Sequence, residues 1–309
     1  MNTFDSLVED ISKLGIKEGD NLFVRISYKA VGKTEGGPKT LIDALLDVIG
    51  NQGTLIATAF PNRIPANKKE KYKNSVYTKG MKPITGAIPV VMSQYPNACF
   101  SSHPISPYVA IGYNAKLITD MHTPEKESYE VVKCMIDECH CKCLRIGGDV
   151  LDGSAHIAFT EGLKNTDSYQ YRLAEGNYYF DDNGEKKWIE KCVSSFCYDG
   201  FKRFFLDKVY NYSGAVLSEG MIGEGMAMLT DMSRTLEVER KYIAKDPRVL
   251  LCDSPECMKC RTSYSYSKPG AAIYSIHHLK GLFNPKTFRA TAGTIRFVLR
   301  NRFLGKKCQ

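Results

Sequence analysis

At 309 residues, with 43% hydrophobic, 25% charged and 11% aromatic residues, the chain has the makeup of a globular protein with room for one large α/β domain or two small ones. That composition excludes disorder, collagen-like repeats and a coiled coil, and no run approaches the roughly 18 consecutive apolar residues of a membrane span. The net charge is +8, but Lys286 to Gln309 holds seven basic residues and no acid, so the rest of the chain carries 35 basic against 34 acidic residues, a net +1. The N-terminal MNTFDSLVED lacks the basic then apolar run of a secretory signal, which points to the cytoplasm. In the basic tail Arg302 and Lys306 interrupt the apolar face of Ile295, Val298, Leu299 and Phe303, which favours a solvated segment over a weak contact with a polyanion or a membrane surface.

Phe4, Leu7, Val8, Ile11 and Leu14 recur at helical spacing and Gly15 ends the run, which predicts an amphipathic helix. Asn21 to Ser27 reads as a strand, followed by a loop with Gly32, Gly36 and Gly37. A helix begins at Pro38, carries Leu41, Leu45, Val48 and Ile49 on one face and stops at Gly50; a strand follows over Thr54 to Phe60. This is a βαβ unit with a right-handed crossover and parallel strands, so the class is α/β. The loop from Tyr28 to Gly37 then lies where α/β sheets bind ligands. Its amides and the following helix N-terminus suit a phosphate, although an ordinary glycine turn fits the same residues.

Residues 61–85 are polar and lysine-rich and hold three prolines, which predicts a long surface excursion before order resumes at Gly86. Cys143 to Gly147 reads as a buried strand, and GDVLDGS leads into a helix capped by Ser154, with His156 in its first turn. Strands are expected at Tyr178 to Phe180 and Trp188 to Cys192, and helices at Asp199 to Val209 and Gly225 to Ile243.

Eleven cysteines without a secretory signal suggest thiols rather than a disulfide framework. Cys252, Cys257 and Cys260 form a C-x4-C-x2-C run, but a second C-x-x-C at finger spacing is missing; Cys139, Cys141 and Cys143 alternate like one face of a strand. Of the six histidines, His156 has the position of a general base, because a helix N-terminus disfavours imidazolium; a hydrogen-bonded structural histidine fits the same spacing. His103, in SSHPIS, reads as a loop residue whose ring satisfies nearby backbone groups. No G-x-S-x-G elbow or H-E-x-x-H motif is present.

In order along the chain, VRISYKAVG, EGGPKT, LIDALLDVIG, Gly53-Thr54-Leu55, Ser101-Ser102-His103-Pro104, IGGDVLDGSAHIAF, Asp199-Gly200-Phe201 and the Cys257 to Cys260 pair resemble the aminoglycoside 3-N-acetyltransferase family over roughly residues 5–265. The resemblance implies a three-layer α/β/α fold with a mixed central sheet, distinct from the GNAT acetyltransferases. It implies acetyl-CoA as co-substrate, held by Ser27, Gly32, Gly36, Gly37 and Thr40. It implies direct transfer to an amine, with His156 as base, Asp199 behind the imidazole, and Asp152, Phe159 and His103 near the acceptor. No metal cofactor and no nucleic-acid partner are expected.

Two departures stand out: Asp152-Gly153 replaces the Asn-Thr common before the histidine, and Phe159 replaces a glutamate that helps meet a polycationic drug, with Glu161 or Asp152 as substitutes. The expected protein is therefore an N-acetyltransferase of an aminoglycoside, conferring antibiotic resistance, or of another amino sugar, as in polysaccharide biosynthesis. Residues 1–285 form its single domain and 286–309 a basic tail. The rival readings are a non-catalytic coenzyme- or carbohydrate-binding homologue and a metal-binding protein using Cys252, Cys257 and Cys260.

Overall fold

A computed structural model describes the protein over residues 1–147, 153–165, 169–172, 174–192 and 196–252, and at scattered positions beyond. Helix α1 (Phe4–Lys13) buries Leu7 and Ile11, and Thr3 and Ser6 cap its N-terminus reciprocally. Then come β1 (Asn21–Ile26), a short α2 (Tyr28–Val31) inside the glycine loop, α3 (Pro38–Ile49) and β2 (Thr54–Thr58). The middle of the chain supplies β3 (Ile64–Pro65), β4 (Val76–Tyr77), α4 (Ala87–Met92), β5 (Cys99–Phe100), β6 (Tyr108–Gly112), α5 (Ala115–Asp120), α6 (Val131–Asp137) and β7 (Lys142–Ile146). Beyond it lie α7 (Gly153–Asn165), β8 (Tyr169–Arg172), β9 (Glu175–Phe180), β10 (Lys186–Lys191), α8 (Tyr198–Phe201), α9 (Tyr210–Ser213), β11 (Val216–Ile222), β12 (Gly225–Asp231) and α10 (Met232–Ile243). A π-helical stretch, Lys202–Val209, joins α8 to α9.

Seven strands form the main sheet in the order β11, β12, β7, β1, β2, β6, β5. Its centre is parallel: β1 pairs with β2 and with β7, whereas β12, β6, β5 and β11 add antiparallel edges. Alternation along β1 divides the core, since Leu22 and Val24 face α1 and α3 while Phe23 faces the opposite layer of α5, α6, α7 and α10. The fold is thus three-layered α/β/α with a mixed sheet. Each large apolar side chain withdrawn from water contributes roughly 1.5–3 kcal/mol, and α3 buries Leu41, Ile42, Leu45 and Ile49 against the sheet.

Several expectations change in detail. Residues 61–85 are stitched to a second, small sheet, because β3 and β4 both pair with β9; Lys68, Lys71, Lys73, Lys79 and Lys82 stay exposed. Cys139, Cys141 and Cys143 are all buried in one core layer, yet the strand starts only at Lys142, because His140 turns the chain with φ of 47°. Gly225–Asp231 is a strand rather than the start of a helix, since it pairs antiparallel with β7 from Ala227 to Asp231 and with β11 on its other side. Ser154 lies inside α7, which starts at Gly153, and its hydroxyl is 3.4 Å from that of Thr235. Cys192 is disulfide-bonded, and eight other described cysteines are thiols. Among the described residues, no helix is long and apolar enough to cross a membrane.

Helix α7 crosses α10 closely at Gly162, where an added Cβ would lie 2.5 Å from the carbonyl oxygen of Ile243. Gly162→Ala therefore wedges the two helices apart, and urea unfolding is expected to show a loss of about 1–3 kcal/mol.

Candidate active site

The parallel strands β7, β1 and β2 deliver their carboxyl ends to one edge of the sheet. Ser27 begins the loop after β1; its amide donates to the Ile146 carbonyl of β7 at 2.9 Å, which ties the loop to the neighbouring strand. Gly32, Gly36 and Gly37 all have φ between 71° and 85°, a region costly for other residues, so these glycines shape the turn into α3. The Thr40 hydroxyl donates to the Glu35 carbonyl at 2.5 Å and closes the loop from within. Beside the loop is a cleft of about 180 Å³ between the ends of β1 and β2, lined by Arg25, Ile26, Thr58, Phe60, Thr85 and Pro89 among others. Arg25 donates to the Thr58 hydroxyl at 2.8 Å and brings a cation to the cleft. Arg25 stands in the VRIS block, but nothing in the sequence singled it out.

His156 occupies the first turn of α7 and is 6% exposed. Tyr129 stacks on its ring with centroids 3.9 Å apart and planes 6° from parallel, and Phe196 approaches at 4.8 Å. Tyr129 in turn meets Phe60 edge-on at 6.4 Å, so an aromatic wall links the histidine to the cleft beside the glycine loop. The histidine opens into a pocket of about 190 Å³ that also holds Glu127, Glu130, Lys133, Thr160, Glu161 and Lys164. Each carboxylate has a cationic neighbour: Glu127 pairs with Lys191 at 3.0 Å, Glu130 with Lys126 at 3.2 Å, and Glu161 with Arg240 through two hydrogen bonds of 2.8 and 3.0 Å. The Glu127 amide donates to Glu130 and, with Lys126, holds that carboxyl below the usual range. Tyr129, Phe196, Glu127 and Glu130 were not foreseen, since they come from segments without a motif.

The remaining predicted residues fall elsewhere. Phe159 is fully buried, packs edge-on against Phe196 and belongs to the core rather than the pocket; an i+3 step from His156 points inward there, and Thr160 and Glu161 take the pocket side. Asp199 is exposed at the start of α8 and makes no hydrogen bond to His156 among the described residues. Asp152 lies outside the described residues.

His103 is completely buried: its Nδ1 accepts from the amides of Ile105 and Ser106 at 3.2 and 3.1 Å, and its Nε2 donates to the Lys126 carbonyl at 3.2 Å. It stacks on His122 at 4.5 Å, and the pair pins the Lys126 to Glu127 turn that precedes Tyr129. Its place is therefore structural rather than at the substrate. Burial, then the charge His122 would carry, pushes the His103 pKa down to about 3; burial pushes His122 down to about 4.

The architecture is that of an α/β protein with a cleft at the carboxyl ends of parallel strands and a buried histidine in the first turn of a helix. Residues 23–244 match the family model described as aminoglycoside 3-N-acetyltransferase, and the chain belongs to that family. Aminoglycoside N(3)-acetyltransferase III of Serratia marcescens is 33% identical over 134 residues, which cover 40% of this chain and 50% of that protein. Aminoglycoside N(3)-acetyltransferase VIII of Streptomyces fradiae is 31% identical over 129 residues, covering 38% and 45%. The chain thus spans about half the length of the curated relatives it matches. Among solved structures, aminoglycoside acetyltransferase AAC(3)-Xa superposes with a TM-score of 0.66 at 22% identity, covering 80% of this chain and 93% of that one. The AAC-IIIb binary complex with CoASH gives 0.65 at 22%, covering 79% and 96%. Both show the same fold.

Both imidazoles are neutral when folded, whereas the unfolded chain binds protons near pH 6.5. Stability from this pair is therefore complete above about pH 6.5 and declines as the pH falls toward 4, because the unfolded state takes up more protons. His103→Ala removes one of the two protons from that dependence and orphans two amides; denaturant titrations at pH 7.5 and 5 are expected to show a cost of about 2–5 kcal/mol at the higher pH and a shallower loss between them.

Proposed function

We propose that the protein is an acetyl-CoA-dependent N-acetyltransferase that passes acetyl directly to an amine of an aminoglycoside or another amino sugar in the cytoplasm, with His156 as general base. The observation that carries this reading is the placement of His156: buried, oriented by two aromatic rings, open to a pocket with carboxylates, and joined through Tyr129 and Phe60 to the cleft beside the glycine loop. Family membership supports it, and the relatives carry the name aminoglycoside N(3)-acetyltransferase.

The acetyl thioester is assigned to the cleft between β1 and β2, with Ser27 and the amides around Gly36 and Gly37 receiving the coenzyme and Arg25 beside it. The acceptor amine lies in the His156 pocket, where a carboxylate such as Glu130 orients a second polar group. As the amine nitrogen attacks the thioester carbonyl, His156 takes its proton; the C–S bond then breaks, the amide forms, and the proton passes to the departing thiolate to give CoA. The rings of Tyr129 and Phe196 hold the plane of the imidazole.

A second class of acceptor is favoured by the pairing of every pocket carboxylate with a lysine or arginine. That pocket offers little uncompensated negative charge to a polycation, and an amino sugar of low charge or one joined to a nucleotide suits it equally.

Calorimetric titration of acetyl-CoA into the reduced protein tests the coenzyme assignment. One site per chain with micromolar affinity is expected, weakened at least tenfold in Gly37→Val, where a β-branched residue meets a positive φ. Absence of binding would remove the reading.

A further inference from the structure

Outside the pocket, three thiols converge. Cys197, immediately before α8, meets Cys252 and Cys257, which follow α10, and their sulfur atoms all lie within 4.8 Å of one another. Cys197 and Cys252 are buried, Cys257 is half-buried, and with Leu251 they form a small cluster of their own. The Sγ atoms of Cys197 and Cys257 are 3.7 Å apart. A disulfide holds its sulfurs at about 2.05 Å. A tetrahedral zinc thiolate with Zn–S bonds of about 2.3 Å separates its sulfurs by about 3.8 Å. Thiolates around an iron–sulfur cluster stand farther apart, because the cluster core lies between them.

We propose that Cys197, Cys252 and Cys257 bind a structural zinc ion. Zinc suits the set because soft thiolates prefer it and because a closed site needs no solvent-accessible position. Each thiol gives up its proton on binding, and the metal carries the compensating charge. Cys260, the last cysteine of the C-x4-C-x2-C run, lies outside the described residues.

The site also acts on the pocket. Phe196, which packs on His156, is the residue before Cys197, and the chain around Leu251 is already drawn to this helix by Arg203, whose Nη2 donates to the Leu251 carbonyl at 2.9 Å. A metal bridging Cys197 to Cys252 and Cys257 clamps the two segments and fixes the aromatic wall, so the ion is a positioning element and takes no part in acyl transfer. The proposal stands whether or not the acyl-transfer reading does.

The test is elemental analysis of the reduced full-length protein, purified without chelators from cells grown with added zinc. About one zinc per chain is expected in the wild type and in Cys99→Ser, and less than a fifth of that in Cys252→Ser and Cys257→Ser. Chelation of the wild type is expected to lower its melting temperature and expose three further thiols to a thiol reagent, both reversed by zinc and not by magnesium. A wild-type protein with less than a tenth of a zinc per chain, or one holding iron instead, would overturn the proposal whatever the variants do.

Discussion

The stack of Tyr129 on His156 is the contact on which the arrangement of this protein turns. It joins a residue from the turn before α6 to one in the first turn of α7, and so registers two helices of the same layer against the parallel strand β7. Tyr129 lies flat on the imidazole and Phe196 meets it at 43°, which restrains the ring; on the proposed reading that restraint keeps the geometry proton transfer requires. The supports of that plane are themselves over-determined. Tyr129 follows a turn held by the paired rings of His103 and His122, and α7 is pressed onto α10 at Gly162.

Charge around the histidine is not acidic, since Lys133 and Lys164 also line the pocket. Glu127, Glu130 and Glu161 face the pocket, and Lys126, Lys191 and Arg240 hold them from behind. Such partly exposed pairs contribute little to stability, on the order of 0–1 kcal/mol each. Their effect is to keep carboxylate oxygens in fixed positions, which favours hydrogen bonds to sugar hydroxyls and single ammonium groups over bulk attraction of a polycation. On the proposed reading, the pocket discriminates by geometry more than by field.

Much of the scaffold was legible in the sequence wherever two signals agreed. Pro38 at a helix start, Gly50 at its end and the stripe of Leu41, Leu45 and Ile49 all point to α3, and β1 and β2 flank it as expected. Legibility failed where tertiary pairing outweighed local preference. GMAMLTD is rich in helix formers, yet it lies flat as β12 because β7 offers a ladder to complete. The place of His156 in the first turn of a helix was readable because a helix start and a family block converge on it. Tyr129 and Glu130 were not, since EKESYEVVK has no motif and only the crossing of α6 and α7 brings it there. Phe159 illustrates the reverse case, a residue in a recognisable block that is core once its burial is seen, whereas the reading of His103 as a ring that satisfies nearby backbone groups holds.

The central claim is that the proton of an attacking amine leaves through His156. The most direct measurement is single-turnover transfer of acetyl from acetyl-CoA to a panel of amino sugars, followed by the mass of the acceptor, a readout that the eleven cysteines do not disturb. The account predicts a mass gain of one acetyl on an amine in the wild type, and a rate about 10²–10⁴-fold lower in His156→Ala with acetyl-CoA affinity unchanged. Transfer by His156→Ala at the wild-type rate would contradict it.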